Sequence, residues 1–159
     1  MKHSICWYLV SAVLAIAVLD QPATTANSQE EKLKTYNPAT VHQPPAAYSQ
    51  AVEVSPNARW LYLAGQGGFR LDGTRPEGVE ARAEQTWRNI LSILKAPGMG
   101  PENIVRVTTY TTSASFRDAI QAARVRALGA HRPAATFLVV SAFALPDMLI
   151  EIDIVAAKE

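Results

Sequence analysis

The chain has 159 residues, of which 48% are hydrophobic and 18% charged, and its formal net charge is +1. That composition belongs to one ordinary globular domain and excludes disordered, fibrous and low-complexity classes. Near-neutral charge, with arginines scattered along the sequence, supplies no field for nucleic acid or an anionic membrane.

Residues 1–26 read as a secretory signal peptide. Lys2 and His3 form a minimal positive segment, Ile5 to Leu19 is an apolar run of 15 residues, and Ala23 to Ala26 offers small residues for cleavage. A membrane span needs about 20 apolar residues. Cleavage would deliver a periplasmic or secreted domain with no membrane attachment; an uncleaved N-terminal anchor is the alternative. Cys6, the chain's one cysteine, lies inside this segment, so the mature domain would hold no disulfide, thiolate nucleophile or cysteine metal ligand.

Residues 27–35 begin NSQEEKLK and read as a mobile polar leader, which places the domain at residues 36–159. Pro38, Pro44 and Pro45 favour an extended path into the first strand. Tyr48 to Val54 and Trp60 to Gln66 are strand candidates joined by SPNAR, whose Pro56 and Asn57 form turns, and an antiparallel hairpin is expected. The GQGG run at 65–68 lacks the G-x-G-x-x-G spacing of a dinucleotide site; glycine here lets backbone approach something closely or turn sharply. Arg70 to Gly78 is a surface loop.

Val79, Ala83, Trp87, Ile90, Leu91 and Leu94 recur with helical spacing and predict an amphipathic helix ended by Pro97 and Gly98. Ile104 to Thr112 is rich in β-branched residues and predicts a third strand. A second helix is expected over Phe116 to Ala130, with Phe116, Ile120, Ala123, Ala127 and Leu128 inward and Gly129 near its end. Two further strands, Ala135 to Phe143 and Met148 to Ala156, flank a turn at Pro146 and Asp147. The last alternates strictly, setting Met148, Ile150, Ile152 and Ile154 on one face and Leu149, Glu151, Asp153 and Val155 on the other.

The order is ββαβαββ, an α+β two-layer sandwich with two helices on one face of a five-stranded sheet. The other face has no cover from this chain, and its aromatic and β-branched residues point to a symmetric homo-oligomer. His42 and His131 form no metal-ligand cluster, no G-x-S-x-G elbow or phosphate loop occurs, and residue types alone lead no further.

The arrangement of specific segments resembles the Rid family of reactive-intermediate deaminases, the YjgF/YER057c/UK114 family. It is carried by YNPATVHQPPAAYSQAVEV at the start, LAGQ at 63–66, Gln85 and Asn89, GMGPENIVRVTTYTT, RPAAT at 132–136 and IEIDIVA at 150–156. The resemblance implies a chorismate-mutase-like fold assembled as a homotrimer, with small-molecule clefts between subunits and neither metal nor organic cofactor. Active members hydrolyse enamines and imines, such as 2-aminoacrylate, releasing ammonia and a 2-oxo acid. By position, Glu151 matches the glutamate that directs the attacking water. Tyr48 matches a tyrosine at the cleft, and the backbone at Gly65 and Phe137 matches ligand-contacting positions.

One departure bears on substrate choice. Deaminase members read R-P-A-R-S, and that second arginine grips the substrate carboxylate through its bidentate fork. Here the position is Ala135, which offers neither charge nor donor. Losing a charge-assisted contact is worth about 1.5–3 kcal/mol. Arg132, three residues earlier and separated by Pro133, would face the other side of an extended strand. Ile120 stands where deaminase members often carry asparagine, making the cleft more apolar. Two functions follow: an imine or enamine hydrolase preferring substrates without a carboxylate, or a non-catalytic trimeric binding or protein-stabilising member. The ribonuclease label often attached to the family sits poorly with export and with the absence of a basic groove.

Overall fold

A computed structural model describes residues 33–43 and 48–159. The expected signal peptide, most of the polar leader, and Pro44 and Pro45 lie outside the described residues. Six strands and two helices follow in order: β1 (Lys34–Tyr36), β2 (Ala51–Glu53), β3 (Arg59–Gln66), α1 (Val79–Lys95), β4 (Ile104–Thr111), α2 (Arg117–Leu128), β5 (Ala134–Val139) and β6 (Ile150–Lys158). Short 3-10 turns, Pro101–Asn103 and Ala114–Phe116, lead into β4 and α2.

The main sheet has four strands in the order β3-β6-β4-β5, with β6 antiparallel to both neighbours and β5 parallel to β4. A parallel neighbour requires a crossover, and α2 supplies it. Both helices pack on one face, and the α+β sandwich stands as expected.

The core follows from the alternation. Ile150, Ile152, Ile154 and Ala156 of β6 are each at most 1% exposed and meet Ala83, Trp87, Ile90 and Leu94 of α1 and Ile120 and Ala123 of α2. Glu151, Asp153 and Val155 remain half-buried on the opposite face. Helix α1 ends where Gly98 adopts a positive φ of 74°, and α2 ends at Gly129 with φ 56°, conformations that cost other residues more.

The expected hairpin does not form. β2 pairs with β1 in the register Lys34↔Glu53 and Tyr36↔Ala51, and this two-stranded ribbon is separate from the sheet that contains β3. The turn itself is present, with the Ala58 amide donating to the Ser55 carbonyl at 3.2 Å. Its second residue, however, is Pro56, whose ring holds φ near −65° and so excludes the primed turns that keep two strands paired. The five-stranded sheet is therefore a four-stranded sheet plus a ribbon. Lys34 and Thr35, in the expected leader, belong to β1. Tyr36 donates to Glu53, and Lys34 sits 3.8 Å from the same carboxylate.

Ser49 ties the incoming chain to the outer edge of the main sheet. It bridges Ala134 in parallel, its amide donating to the Pro133 carbonyl at 3.1 Å and its hydroxyl to the Arg132 carbonyl at 2.6 Å.

Candidate functional site

The open face of the sheet presents side chains in register. Tyr110 of β4 stands directly opposite Glu151 of β6, and on its other side opposite Leu138 of β5. Thr108 stands opposite Asp153, Arg106 opposite Val155, and Val155 opposite Tyr62 of β3. Trp60 and Tyr62 stack along β3, with ring centroids 6.5 Å apart and an interplanar angle of 22°. Tyr62 is 74% exposed, so within one chain this aromatic surface meets water.

Glu151 and Gly65 are brought together. The β3–β6 register shifts between Leu63 and Gln66, and this irregularity sets the Gly65 backbone against the Glu151 side chain. A Cβ added at Gly65 would fall 2.8 Å from Glu151 Cγ and closer still to the carboxyl group. Gly65 is thus the residue whose missing side chain makes room for the carboxylate. Among the described residues nothing donates a hydrogen bond to that carboxylate and no cation pairs with it.

The other positions singled out in the sequence lie elsewhere. Ala135 stands opposite Val107 and Phe137 opposite Thr109, on the helix side of the sheet, where both pack against the core. Their side chains therefore face away from Glu151. β5 is an edge strand, which leaves backbone polar groups on its outer side without a strand partner beyond the Ser49 bridge. Tyr48, half-buried, immediately precedes that bridge. Two strand spacings separate β6 from β5, so Glu151 and the Phe137 backbone lie roughly 10 Å apart. Five residues fall into two groups: Glu151 with Gly65, and Tyr48 with Ala135 and Phe137 at the β5 edge.

Two residues not singled out in the sequence complete the first group. Asp153 Oδ2 accepts a hydrogen bond from the Tyr110 hydroxyl at 3.1 Å. This bond to a carboxylate, reinforced by the charge of Asp153, holds the Tyr110 phenol above the ordinary tyrosine value. The alternation of β6 already placed Asp153 on this face, but only the β4–β6 register reveals its partner.

Chemically, the face offers one free carboxylate as a proton acceptor beside exposed backbone, and one carboxylate held by a phenol. No group of three or more His, Cys, Asp or Glu side chains capable of holding a metal occurs among the described residues. A cavity of about 570 Å³, lined in part by Lys34, Glu53, Asn103 and His131, opens at the far end of β6 beside Lys158. Seven residues of strand, roughly 23 Å, separate it from Glu151.

Comparison with known proteins gives a consistent result. Residues 40–158 match the model of the endoribonuclease L-PSP family. A RutC family protein of Aquifex aeolicus is 40% identical over 70 residues, and the chain spans about half of that relative's length, 54%, and 43% of its own. Among solved structures, the Rid-family protein YyfB of Yersinia pestis superposes with a TM-score of 0.70 at 33% identity, covering 79% of this chain and 98% of that one. RidA of the Antarctic bacterium Psychrobacter sp. gives 0.58 at 28% identity over 80% and 98%. A YjgF/YER057c/UK114 protein of Mycobacterium tuberculosis gives 0.56 at 27% over 69% and 85%. A model spanning most of the chain and a relative of this identity and coverage lead to one conclusion: the chain belongs to the endoribonuclease L-PSP family, that of the Rid and YjgF/YER057c/UK114 proteins.

Proposed function

We propose that this chain is an exported Rid-family homotrimer that binds a small enamine or imine in clefts between subunits and hydrolyses it. The observation that carries the reading is the Glu151 carboxylate, unpaired among the described residues and seated against Gly65 on a sheet face that its own chain leaves open. Glu151 takes a proton from water as the water oxygen attacks the electrophilic imine carbon. Glu151 returns that proton to the nitrogen, which gives a carbinolamine; the hydroxyl proton then moves to nitrogen as the C–N bond breaks, so nitrogen leaves as ammonia and the carbon becomes a carbonyl. An enamine reaches the same imine by moving a proton from nitrogen to carbon. The reaction needs no cofactor.

The division of the site supports the homotrimer. Glu151 and Gly65 lie near one side of the sheet, while Tyr48, Ala135 and the Phe137 backbone lie at the β5 edge. A second copy packed on the open face would cover Trp60 and Tyr62 and could bring one chain's Glu151 to another's β5 edge. Ala135 removes the carboxylate-binding arginine, so the preferred substrate carries no carboxylate. The family model's description names an endoribonuclease, yet the charged groups in register on β4 and β6 of this face are Glu151, Asp153 and Arg106. Two carboxylates against one guanidinium repel a phosphate backbone rather than gather it.

Ammonia release from 2-aminoacrylate and from neutral imines tests the reading, with Glu151→Ala and Ala135→Arg alongside. Turnover of neutral imines, lost in Glu151→Ala, is the expected result; equal turnover of acidic and neutral imines argues against the substrate preference. Ala135→Arg tests whether a side chain that starts on the helix side of β5 reaches the cleft around the strand edge: a gain of roughly ten- to a hundredfold in affinity for the acidic substrate shows that it does, and an unchanged affinity that it does not. The loss of the arginine also favours a second reading, a non-catalytic trimeric binding or protein-stabilising protein. Its signature is ligand-induced stabilisation without turnover, unchanged in any biological assay by Glu151→Ala.

A further inference from the structure

The two carboxylates of the open face are not equivalent. Glu151 and Asp153 lie two residues apart on β6, with Cα atoms roughly 6.5–7 Å apart by strand geometry. Asp153 is engaged by the Tyr110 hydroxyl at 3.1 Å, whereas the Glu151 carboxylate has no hydrogen bond or ion pair among the described residues. Tyr110 is also the residue directly opposite Glu151, so one side chain flanks both carboxylates.

We propose that Tyr110 is a positioning residue for this site: by holding Asp153 against β4, its hydroxyl leaves Glu151 as the one carboxylate of the face free to accept a proton. The inference rests on the reading of Glu151 as the water-directing group. Without an anchor, either carboxylate could collect the proton, and each would raise the other's proton affinity. A donor to one of them breaks that symmetry, because it favours the charged form of the group it touches and fixes its direction. The remaining titratable or charged groups that register places on this face are Arg106 on β4 and Tyr62 on β3; β5 contributes Thr136 and Leu138, which do not titrate. Arg106 stands one pair beyond Asp153, opposite Val155, and on the side away from Glu151. Tyr110 retains its proton throughout the neutral range, so it remains a donor wherever the enzyme would work.

The experiment is a carbon-13 NMR titration of the Glu151 side-chain carboxyl in the full chain, in the parent, Tyr110→Phe and Asp153→Asn. Phenylalanine keeps the ring and removes only the hydroxyl. Asp153→Asn should lower the Glu151 midpoint by about 0.4 pH, the effect of one unit charge at that separation in water. Tyr110→Phe should lower it too, by a few tenths, because Asp153 then loses the donor that keeps it charged and competes with Glu151 for the proton. A Glu151 midpoint within 0.1 pH of the parent's in Tyr110→Phe overturns the proposal, and this variant decides it even if Asp153→Asn does not fold. The readout needs no turnover, so the two failures are distinguishable: a parent inactive on every imine defeats the functional reading, while the Glu151 midpoint still shows whether Tyr110 sets the two carboxylates apart. In an active parent, Tyr110→Phe should lower kcat several-fold with KM nearly unchanged, and adding Asp153→Asn should cost little more. A fall carried by KM instead would count against a positioning role.

Discussion

At the scale of single residues, the site depends on an absence as much as on a presence. Glu151 can lie where it does because Gly65 has no side chain, and a methyl group there would overlap its carboxyl carbon and Cγ. Gly65→Ala should therefore push the carboxylate aside. Gly65 is exposed and its φ is not positive, so the fold should tolerate the methyl group. We expect at least about a tenfold loss of kcat/KM, equivalent to about 1.4 kcal/mol of transition-state stabilisation, with an unchanged circular dichroism spectrum. Parental activity in Gly65→Ala would show that the contact has no functional weight. Glu151 and Gly65 were both named from the sequence, but through the resemblance of the IEI and LAGQ segments; spacing alone left Glu151 as one of two carboxylates on an outer face.

At the scale of elements, β6 and α1 were the most legible. Four residues at a period of two, Ile150, Ile152, Ile154 and Ala156, leave no alternative to a strand with one buried face, and all four are buried. The approach of β3 to α1 was not legible, because it depends on a glycine whose requirement comes from a distant chain segment. A Cβ at Gly68 would fall 2.7 Å from the Arg82 carbonyl oxygen and 2.9 Å from its Cα, both backbone atoms that cannot swing aside. Gly68→Ala should cost about 1–3 kcal/mol through overpacking, read as a lower urea midpoint with an unchanged m-value. Arg82 itself closes the loops at this end, donating to the carbonyls of Pro76, at 2.9 Å, and Asp147. The hairpin failed as an expectation because the turn signal was read without its hand: Pro56 allows the turn but not the strand pairing that would follow it.

At the scale of the whole molecule, the open face calls for a partner. Trp60 is 45% and Tyr62 74% exposed, on the same face as Leu138 at 44%. Isolated apolar residues on a surface need no account, but a stacked aromatic pair on β3 and an exposed leucine on β5, at the two edges of one open face, suit a face that a partner covers. If the homotrimer is built on this face, Tyr62→Glu should shift the mass measured by light scattering toward the monomer and abolish imine hydrolysis together with it. A trimer that survives this substitution would place the interface elsewhere.

The sequence by itself determined what depends on local periodicity: an α+β fold, the order of its elements from β2 onward, and the buried face of β6. It also contained Ala135, on which the proposed substrate preference turns. Only the tertiary structure decided which strands are neighbours, and with that the parallel pairing of β4 and β5, the separate β1–β2 ribbon and the placement of Ala135 and Phe137 on the helix side. Strand register is a property of two segments at once, and nothing in either segment states it. That is why Tyr110 was invisible as the partner of Asp153 and the neighbour of Glu151 until β4 and β6 were laid side by side.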